Sequence, residues 1–490
     1  MHGVRSGRRV DAAPPTSGPT PAPATARSGT AALGALILAV LAYSLPQTML
    51  VPTLGVLQRD LDTSAQGASW AVLSAPLIVG AVLTPLISRL GDGYGRRRML
   101  LITLAIYFLA TLAACAAGTI GVLIALRAVQ GVSLALLPLS LGLLRAVLPP
   151  TRVASALGIT SGLVAGAAGA GLVGGGLIVD HLSWRWLFVA AAMLIAAAGL
   201  GVLRAVPADA PAAPAPLDLP GAALLGITLV CLLLGLTEGP SWGWTSGGVL
   251  GLFAAAIIAG RGFLVRESRA ASPLIESRLL LGRGIRVAHA AAFLLGLTQF
   301  VFYVLIPRLA ELPTSSGGFG RSVTVAGLIL VPGTLFGLPA SALVGRVEAR
   351  FGARAPMVAG LACSAVGGAL AACFHAELWQ VVACYAVIGT GFGAAMGALP
   401  KLVHDTTGPA ETATANGVNA VARTVGGAVG SQLATAILAS HTTFVSPTGA
   451  PVIGGFGPAF WAATIASVLG VSVVLRGTES ANAISTPEAH

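Results

Sequence analysis

Charge is what this chain has least of. Only 9% of its 490 residues are charged, while 55% are hydrophobic. A soluble domain carries about 25% charge on its surface, so a water-facing body of this size is excluded. Soluble enzymes, disordered chains and secreted disulfide scaffolds go with it. Lysine is nearly absent, with Lys401 the single example, so arginine supplies the net charge of +11. In a soluble protein that balance would point to nucleic acid; here it reads as arginine at the ends of membrane helices, with no nucleic-acid partner. The five cysteines (Cys115, Cys231, Cys363, Cys373 and Cys384) all fall in apolar runs, with no CxxC and no histidine at ligand spacing. They read as small packing residues rather than disulfides or metal ligands. His289, His375 and His404 fall near predicted helix ends and read as interfacial polar residues. No phosphate-cradling loop is present, which argues against ATP-driven transport. No His/Asp/Glu cluster marks a metal or acyl-transfer site. The chain is expected to be no enzyme and to need no cofactor.

What the sequence does have is long unbroken apolar runs and 64 glycines. An outer-membrane barrel would show segments of roughly ten residues with alternating polarity, so the runs indicate a polytopic helical membrane protein. A window of about 20 residues, the length that crosses the hydrocarbon core, marks fourteen spans. They lie near 31–53, 69–90, 99–118, 121–147, 154–179, 185–204, 219–238, 247–264, 287–307, 322–345, 356–374, 379–400, 412–440 and 457–475. Residues 1–30 form a basic tail expected to be disordered and cytoplasmic, and residues 476–490 a second cytoplasmic tail.

The loops orient the chain. With the N-terminus inside, the inner loops hold Arg96, Arg97, Arg98, Arg145, Arg152, Arg266, Arg269, Arg278, Arg283, Arg286, Arg346, Arg350, Arg354 and Lys401. The outer loops hold only Arg59, Arg185, Arg308 and Arg321. That asymmetry places both termini in the cytoplasm. Trp70, Trp184, Trp186, Trp242 and Trp244 fall on the outer side, where an aromatic belt is expected.

Residues 205–286 stand apart: a Pro/Ala linker over 205–216, two apolar spans, and an Arg-rich loop over 265–286 expected to form a surface amphipathic helix. They divide a six-helix bundle over 31–204 from another over 287–475. An internal repeat supports this division. Ser88-Arg89-Leu90-Gly91-Asp92-Gly93-Tyr94-Gly95-Arg96-Arg97 matches Gly345-Arg346-Val347-Glu348-Ala349-Arg350-Phe351-Gly352-Ala353-Arg354 at an offset of 257 residues. Arg127-Ala128-Val129-Gln130-Gly131 lines up with Tyr385-Ala386-Val387-Ile388-Gly389 at an offset of 258. Parallel half-repeats of six helices are a known transporter plan.

Three motifs carry the chemistry. Asp92, Gly95, Arg96 and Arg97 sit on a short inner loop, where the carboxylate can accept from a neighbouring helix N-terminus and from nearby arginine, latching a gate. Arg127 and Gln130 lie within span four; a mid-membrane arginine is costly and faces the bundle interior, bound to a carboxylate or to carbonyls. Span five carries Gly171, Gly174, Gly175 and Gly176, small residues that let helices approach closely. The first motif resembles the loop signature of the major facilitator superfamily, with Ser88 where the family's leading glycine stands. The second resembles the fourth-helix signature of that superfamily. The third resembles the antiporter signature of its exporters, with Leu172 in place of proline. With fourteen spans and an inserted helix pair, the chain is similar to the fourteen-helix drug/proton antiporter branch. The resemblance implies two six-helix bundles that alternate access, and export of antibiotics, dyes or quaternary ammonium compounds against a proton gradient.

The resemblance implies that Arg127 takes part in proton coupling; a structural tie between helices one and four is the equal alternative. In that branch an Asp stands in the first helix, where this chain has Leu45-Pro46-Gln47-Thr48. No acid falls at a span centre, and Glu238, with Arg127 and Asp92, is the short list for coupling. The substrate cavity, expected between the bundles near the midplane, has Tyr43, Gln47, Gln130, Gln299, Phe300, Tyr303, Asn416, Asn419 and Arg423 as candidate lining residues. Few charges and several aromatics suit lipophilic or amphipathic ligands. The expected function is export of small lipophilic or cationic compounds by proton antiport, by a monomer in the lipid bilayer of a bacterial plasma membrane. A uniporter or importer of a neutral metabolite, and a non-transporting receptor or scaffold, are the alternatives.

Overall fold

The computed structural model describes residues 26–482, apart from 51–52, 64–66, 69, 210–217, 271–272, 353, 406, 408–410 and 441–452. The tail before residue 26, the linker from residue 210 and residues 483–490 lie outside the described residues. Among the described residues, twelve helices are long and apolar enough to cross a membrane. They are α1 (Ala26–Met49), α2 (Trp70–Tyr94), α3 (Arg96–Cys115), α4 (Ile120–Val147), α6 (Arg185–Ala205), α7 (Leu219–Trp242), α8 (Gly247–Arg269), α9 (Arg283–Glu311), α10 (Val323–Ala342), α11 (Ala355–Cys373), α12 (Leu378–His404) and α14 (Phe456–Asn482). Two further long helices, α5 (Pro150–His181) and α13 (Thr412–Ala439), lie outside that set. No strand occurs among the described residues.

An apolar surround offers the backbone no solvent partners, so each segment satisfies its own amides as a helix. Side chains at the loop boundaries take up the first orphan N–H groups. Thr119, Asp218, Ser246 and Ser322 each accept from the amide three residues on, at 3.4, 3.1, 3.3 and 3.4 Å. Glu377 and Gln380 form a reciprocal capping box at the start of α12. The short loop after α2 turns at Gly95 (φ +102°), and its counterpart in the second half turns at Gly352 (φ +89°). Side chains with a Cβ rarely adopt this region.

α1 packs on α5 and α6, α3 on α6, and α2 on α4, while α9 packs on α13 and α14, α11 on α12 and α14, and α10 on α12. The two groups meet where α5 lies against α10 and α12, and where α13 lies against α2 and α4. α7 and α8 pair with each other as a hairpin, and α7 leans on α2 and α13. A small apolar cluster of Ile78, Ala81, Leu229 and Leu233, with Val421 and Val425 against it, seals that junction.

Two expectations need correction. The Arg-rich loop holds no long amphipathic helix: α8 runs on to Arg269, a five-residue helix spans Ser277–Leu281, and α9 begins at Arg283. Buried Glu267 holds this segment folded, accepting from the amides of Leu274 (3.3 Å) and Ile275 (3.0 Å). The last membrane span ends at Arg476, as the hydropathy places it, and its helix runs on to Asn482. Trp184 is no belt residue. It is 1% exposed, packs edge-on to Phe188 and donates its indole N–H to Asp60 at 3.1 Å. Trp186, Trp242 and Trp244 are exposed.

The hairpin base is an ion pair. Asp218 caps α7 and accepts both Nε and Nη2 of Arg266 at 3.1 Å. The hydrogen bonds from Arg266 hold its carboxyl below the ordinary 3.8. A depressed carboxyl stabilises the fold above its unfolded pKa and loses that contribution as pH falls through the folded value. The protection factor for hydrogen exchange at the first turn of α7 should therefore be constant from pH 7 to 5 and fall below about pH 4, and Asp218→Asn should show low protection throughout. A second test concerns close packing. A Cβ at Gly360 would meet Ala395 N at 2.6 Å and Gly391 O at 2.7 Å. Gly360→Val should overpack α11 against α12 and cost about 1–3 kcal/mol, read as a lower thermal midpoint of the detergent-purified protein.

Candidate functional site

The face that carries the α2–α3 loop is held shut by the N-terminus of α13. Asp92, 4% exposed, ends α2. Its Oδ1 accepts from Arg96 Nε at 2.7 Å, and its Oδ2 accepts from both the backbone N–H and Oγ1 of Thr414 at 2.8 Å. A carboxylate at a helix N-terminus meets orphan amides and the positive dipole end together. Arg96 donates a further bond to the Gly142 carbonyl of α4 at 3.4 Å, and Arg145 bonds Thr412. The loop after α8 joins the same helix end: Arg278 bridges Glu276 (2.7 Å) and Glu411 (2.6 Å). Arg278 holds the Glu276 carboxyl below its ordinary value, while burial pushes that of Glu411 up.

Sequence reading missed Thr412, Thr414 and Asp209. Asp209 lies in the linker after α6, and its two oxygens accept the backbone N–H groups of Arg96 (2.8 Å) and Arg97 (3.0 Å), capping α3 from 113 residues away. The available signals were a lone acid in a Pro/Ala stretch and a Thr-Ala-Thr run opening span thirteen. Arg97 donates to the Leu203 carbonyl at 2.9 Å.

Arg127 is 1% exposed and has carbonyls around it. Nε donates to Ala71 O at 3.0 Å, Nη2 to Val72 O at 2.8 Å and Nη1 to Gln130 Oε1 at 2.8 Å. Gln130 in turn donates to Ala110 O at 3.3 Å. Ala71 and Val72 belong to a π-helical turn, Trp70–Ser74, that opens α2. Such a turn breaks the regular i→i−4 ladder, and the guanidinium takes the two carbonyls. Arg127 thus ties α4 to α2 and α3. Glu238, 3% exposed and near the end of α7, accepts from Trp70 Nε1 (2.7 Å) and Ser241 Oγ (2.6 Å). Glu238 and Arg127 therefore hold the same π turn from two helices.

The remaining candidates gather where the bundles meet. Gly171 and Gly175 let α5 approach Thr48 and the Met49 backbone of α1, and Gly176 approaches Thr324 of α10. Thr324 donates to Asp180 at 3.2 Å, closing the other face. Between the closures lie cavities of about 10–20 Å3, room for a water each. Tyr43, Thr84, Leu137 and Arg423 line one, Ser161, Asn416, Asn419 and Arg423 another, and Tyr303, Gly333 and Tyr385 a third. Gln299 donates to Tyr303 at 2.9 Å, Asn416 to Thr412 O at 2.8 Å and Asn419 to Ala288 O at 3.0 Å. The Phe300 ring packs on Gly427, and Gln47 is half-buried on α1. Tyr385, aligned with Arg127 by the repeat, is a cavity residue that sequence reading did not place there.

The comparisons decide the family. The family model described as Major Facilitator Superfamily matches residues 36–431 and again 288–489. The chain belongs to the Major Facilitator Superfamily. It is 30% identical over 433 residues to the tetracenomycin C resistance and export protein of Streptomyces glaucescens, covering 84% of this chain and 76% of that one. It is 28% identical over 471 residues to the multidrug efflux pump LfrA of Mycolicibacterium smegmatis, covering 94% and 91%. Among solved structures, the human organic anion transporter MFSD10 (TETRAN) superposes with a TM-score of 0.64 at 16% identity, covering 91% of this chain and 99% of that one, a likeness of fold alone. This superfamily member is a multi-pass membrane transporter and not an enzyme.

Two outcomes test the geometry. Arg127→Ala leaves two buried carbonyls and Gln130 Oε1 without their donors. It should cost about 2–4 kcal/mol by thermal unfolding in detergent, and Arg127→Lys should recover part of this. Asp209→Ala should cost about 1 kcal/mol, as for a lost helix cap, with faster hydrogen exchange confined to the first turn of α3.

Proposed function

We propose that this protein is a secondary active exporter of small lipophilic compounds, antibiotics among them, working by alternating access between the two bundles. The observation that carries the reading is the grip of Asp92 on the N-terminus of α13. This one carboxylate joins the two bundles on the arginine-rich face, so breaking and remaking it opens and closes that face. The kinship with a protein named for tetracenomycin C resistance and export, and with a multidrug efflux pump, supports export as the direction. In this reading α1–α14 all span the bilayer. At 1.5 Å per residue, the 32 residues of α5 and 28 of α13 reach about 48 and 42 Å, beyond the roughly 30 Å core. The arginine-rich loops lie in the cytoplasm, and both termini with them. The protein works as a monomer in the plasma membrane, with protons as the counter-ion and no nucleic acid involved.

One observation favours a second reading, facilitated export without coupling. No carboxylate lines any of the three cavities described above, and Pro46 stands at the first-helix position. Reconstituted vesicles separate the two. Antiport predicts that an imposed proton gradient accelerates uphill drug movement more than tenfold and that an ionophore abolishes it; facilitated movement is indifferent to both. In an efflux-deficient bacterium, Asp92→Asn should lose resistance while keeping normal protein levels in the membrane, and equal resistance in the variant would remove the gate from the mechanism.

A further inference from the structure

The interface holds one buried cation that nothing in the described structure answers. Arg423 is the twelfth residue of α13, about 17 Å along the helix from its start, close to the middle of a roughly 30 Å hydrocarbon core. It is 9% exposed. A guanidinium at that depth carries five N–H donors and no acceptor, and such a group is normally paired or bonded to carbonyls. The other buried arginines obey this: Arg96 has Asp92, and Arg127 has two carbonyls and Gln130. Arg423 has no ion pair and no hydrogen-bond acceptor among the described residues. Instead it lines two cavities at once, one against Tyr43 and Thr84 of the first bundle and one against Ser161 of α5.

The surroundings share this incompleteness. Ser161 Oγ, which lines the second cavity, is buried and has no hydrogen-bond partner among the described residues. Tyr43, Leu134 and Leu137 supply flat and apolar walls, and no Asp or Glu lines either cavity among the described residues. Both cavities flank the same side chain, so separating α13 from α2 and α4 merges them around the guanidinium.

We propose that Arg423 is the counter-charge for an acidic aromatic substrate, a planar apolar compound bearing a carboxylate or an ionised phenol. The inference rests on the export reading above and names the substrate class for that pathway. The ligand's anionic oxygens take the guanidinium donors in a two-pronged pair, its apolar body lies against Tyr43 and the leucines, and Ser161 bonds its remaining polar group. A quaternary ammonium compound would meet like charge with no carboxylate to hold it, so cations are the disfavoured class.

The test uses the purified full-length protein and three probes of similar size: anthraquinone-2-carboxylate, its methyl ester, and ethidium. Binding is followed by calorimetry in gluconate buffer. The carboxylate should bind at least tenfold more tightly than the ester, with ethidium weakest. Arg423→Gln should weaken carboxylate binding tenfold or more and change ester binding less than twofold, and Arg423→Lys should keep part of the preference. Equal binding of carboxylate and ester to the wild-type protein overturns the proposal without any variant. So does an equal loss for both probes in Arg423→Gln, which would mark a packing role. Complete displacement of the carboxylate by millimolar chloride overturns it too, because the site is then one for inorganic anions. Flux in vesicles is scored separately. A carboxylate that binds through Arg423 but is not moved removes the export reading and leaves the site. A carboxylate that is moved equally well by Arg423→Gln removes the site and leaves export.

Discussion

A charge or free carbonyl taken inside an apolar bundle must find its partner within the protein, and that constraint organises the molecule. Water cannot complete the coordination of Asp92, Arg127 or Glu267, so backbone amides and carbonyls do it. Each such arrangement places two chain segments side by side. Asp92 draws the start of α13 to the end of α2, Arg127 draws α4 to the π turn of α2, and Glu267 folds the loop after α8 back on the hairpin. The polar network fixes which helices touch at their ends, while small residues let them touch along their length.

The same constraint separates rigid parts from moving ones. Inside the first bundle Arg127 is bonded on all three nitrogens, with the π turn shaped to receive it. Across the bundles, side-chain hydrogen bonds among the described residues join helix ends: Asp92 with Thr414, Arg145 with Thr412, and Asp180 with Thr324. Those are the bonds that a rocking motion of two bodies has to exchange. The inserted hairpin and the loop after it take part, because Glu238 of α7 holds Trp70 and Arg278 of the loop holds Glu411. It touches both bundles at the junction where they meet, so it is placed to feel their relative motion.

Much of the fold was legible in the chain. Apolar runs of bilayer length give the helices directly, and the offset repeat pairs the turn at Gly95 with that at Gly352. Two spans by hydropathy, those of α5 and α13, are the ones that lie outside the twelve clear membrane helices. Both form the contact between bundles: α5 is rich in glycine, and α13 carries glycines, threonines and asparagines. The small residues among them let helices approach closely. Trp184 was misplaced because a tryptophan near a loop reads as interfacial, and only packing shows that this one turns inward to Asp60.

By itself the sequence determined the class of protein, because the shortage of charge and the length of apolar runs are properties of composition and order. It also marked Arg127 as a charge needing an answer, because an arginine at that depth is costly unless it is bonded. Which groups answer the buried charges was decided only by the tertiary structure, which leaves Arg423 without one among the described residues. Thr414 lies 322 residues from Asp92, Asp209 lies 113 from Arg96, and Ala71 lies 56 from Arg127. Partners so far apart leave no local pattern, since a hydrogen bond specifies distance in space and says nothing about separation along the chain.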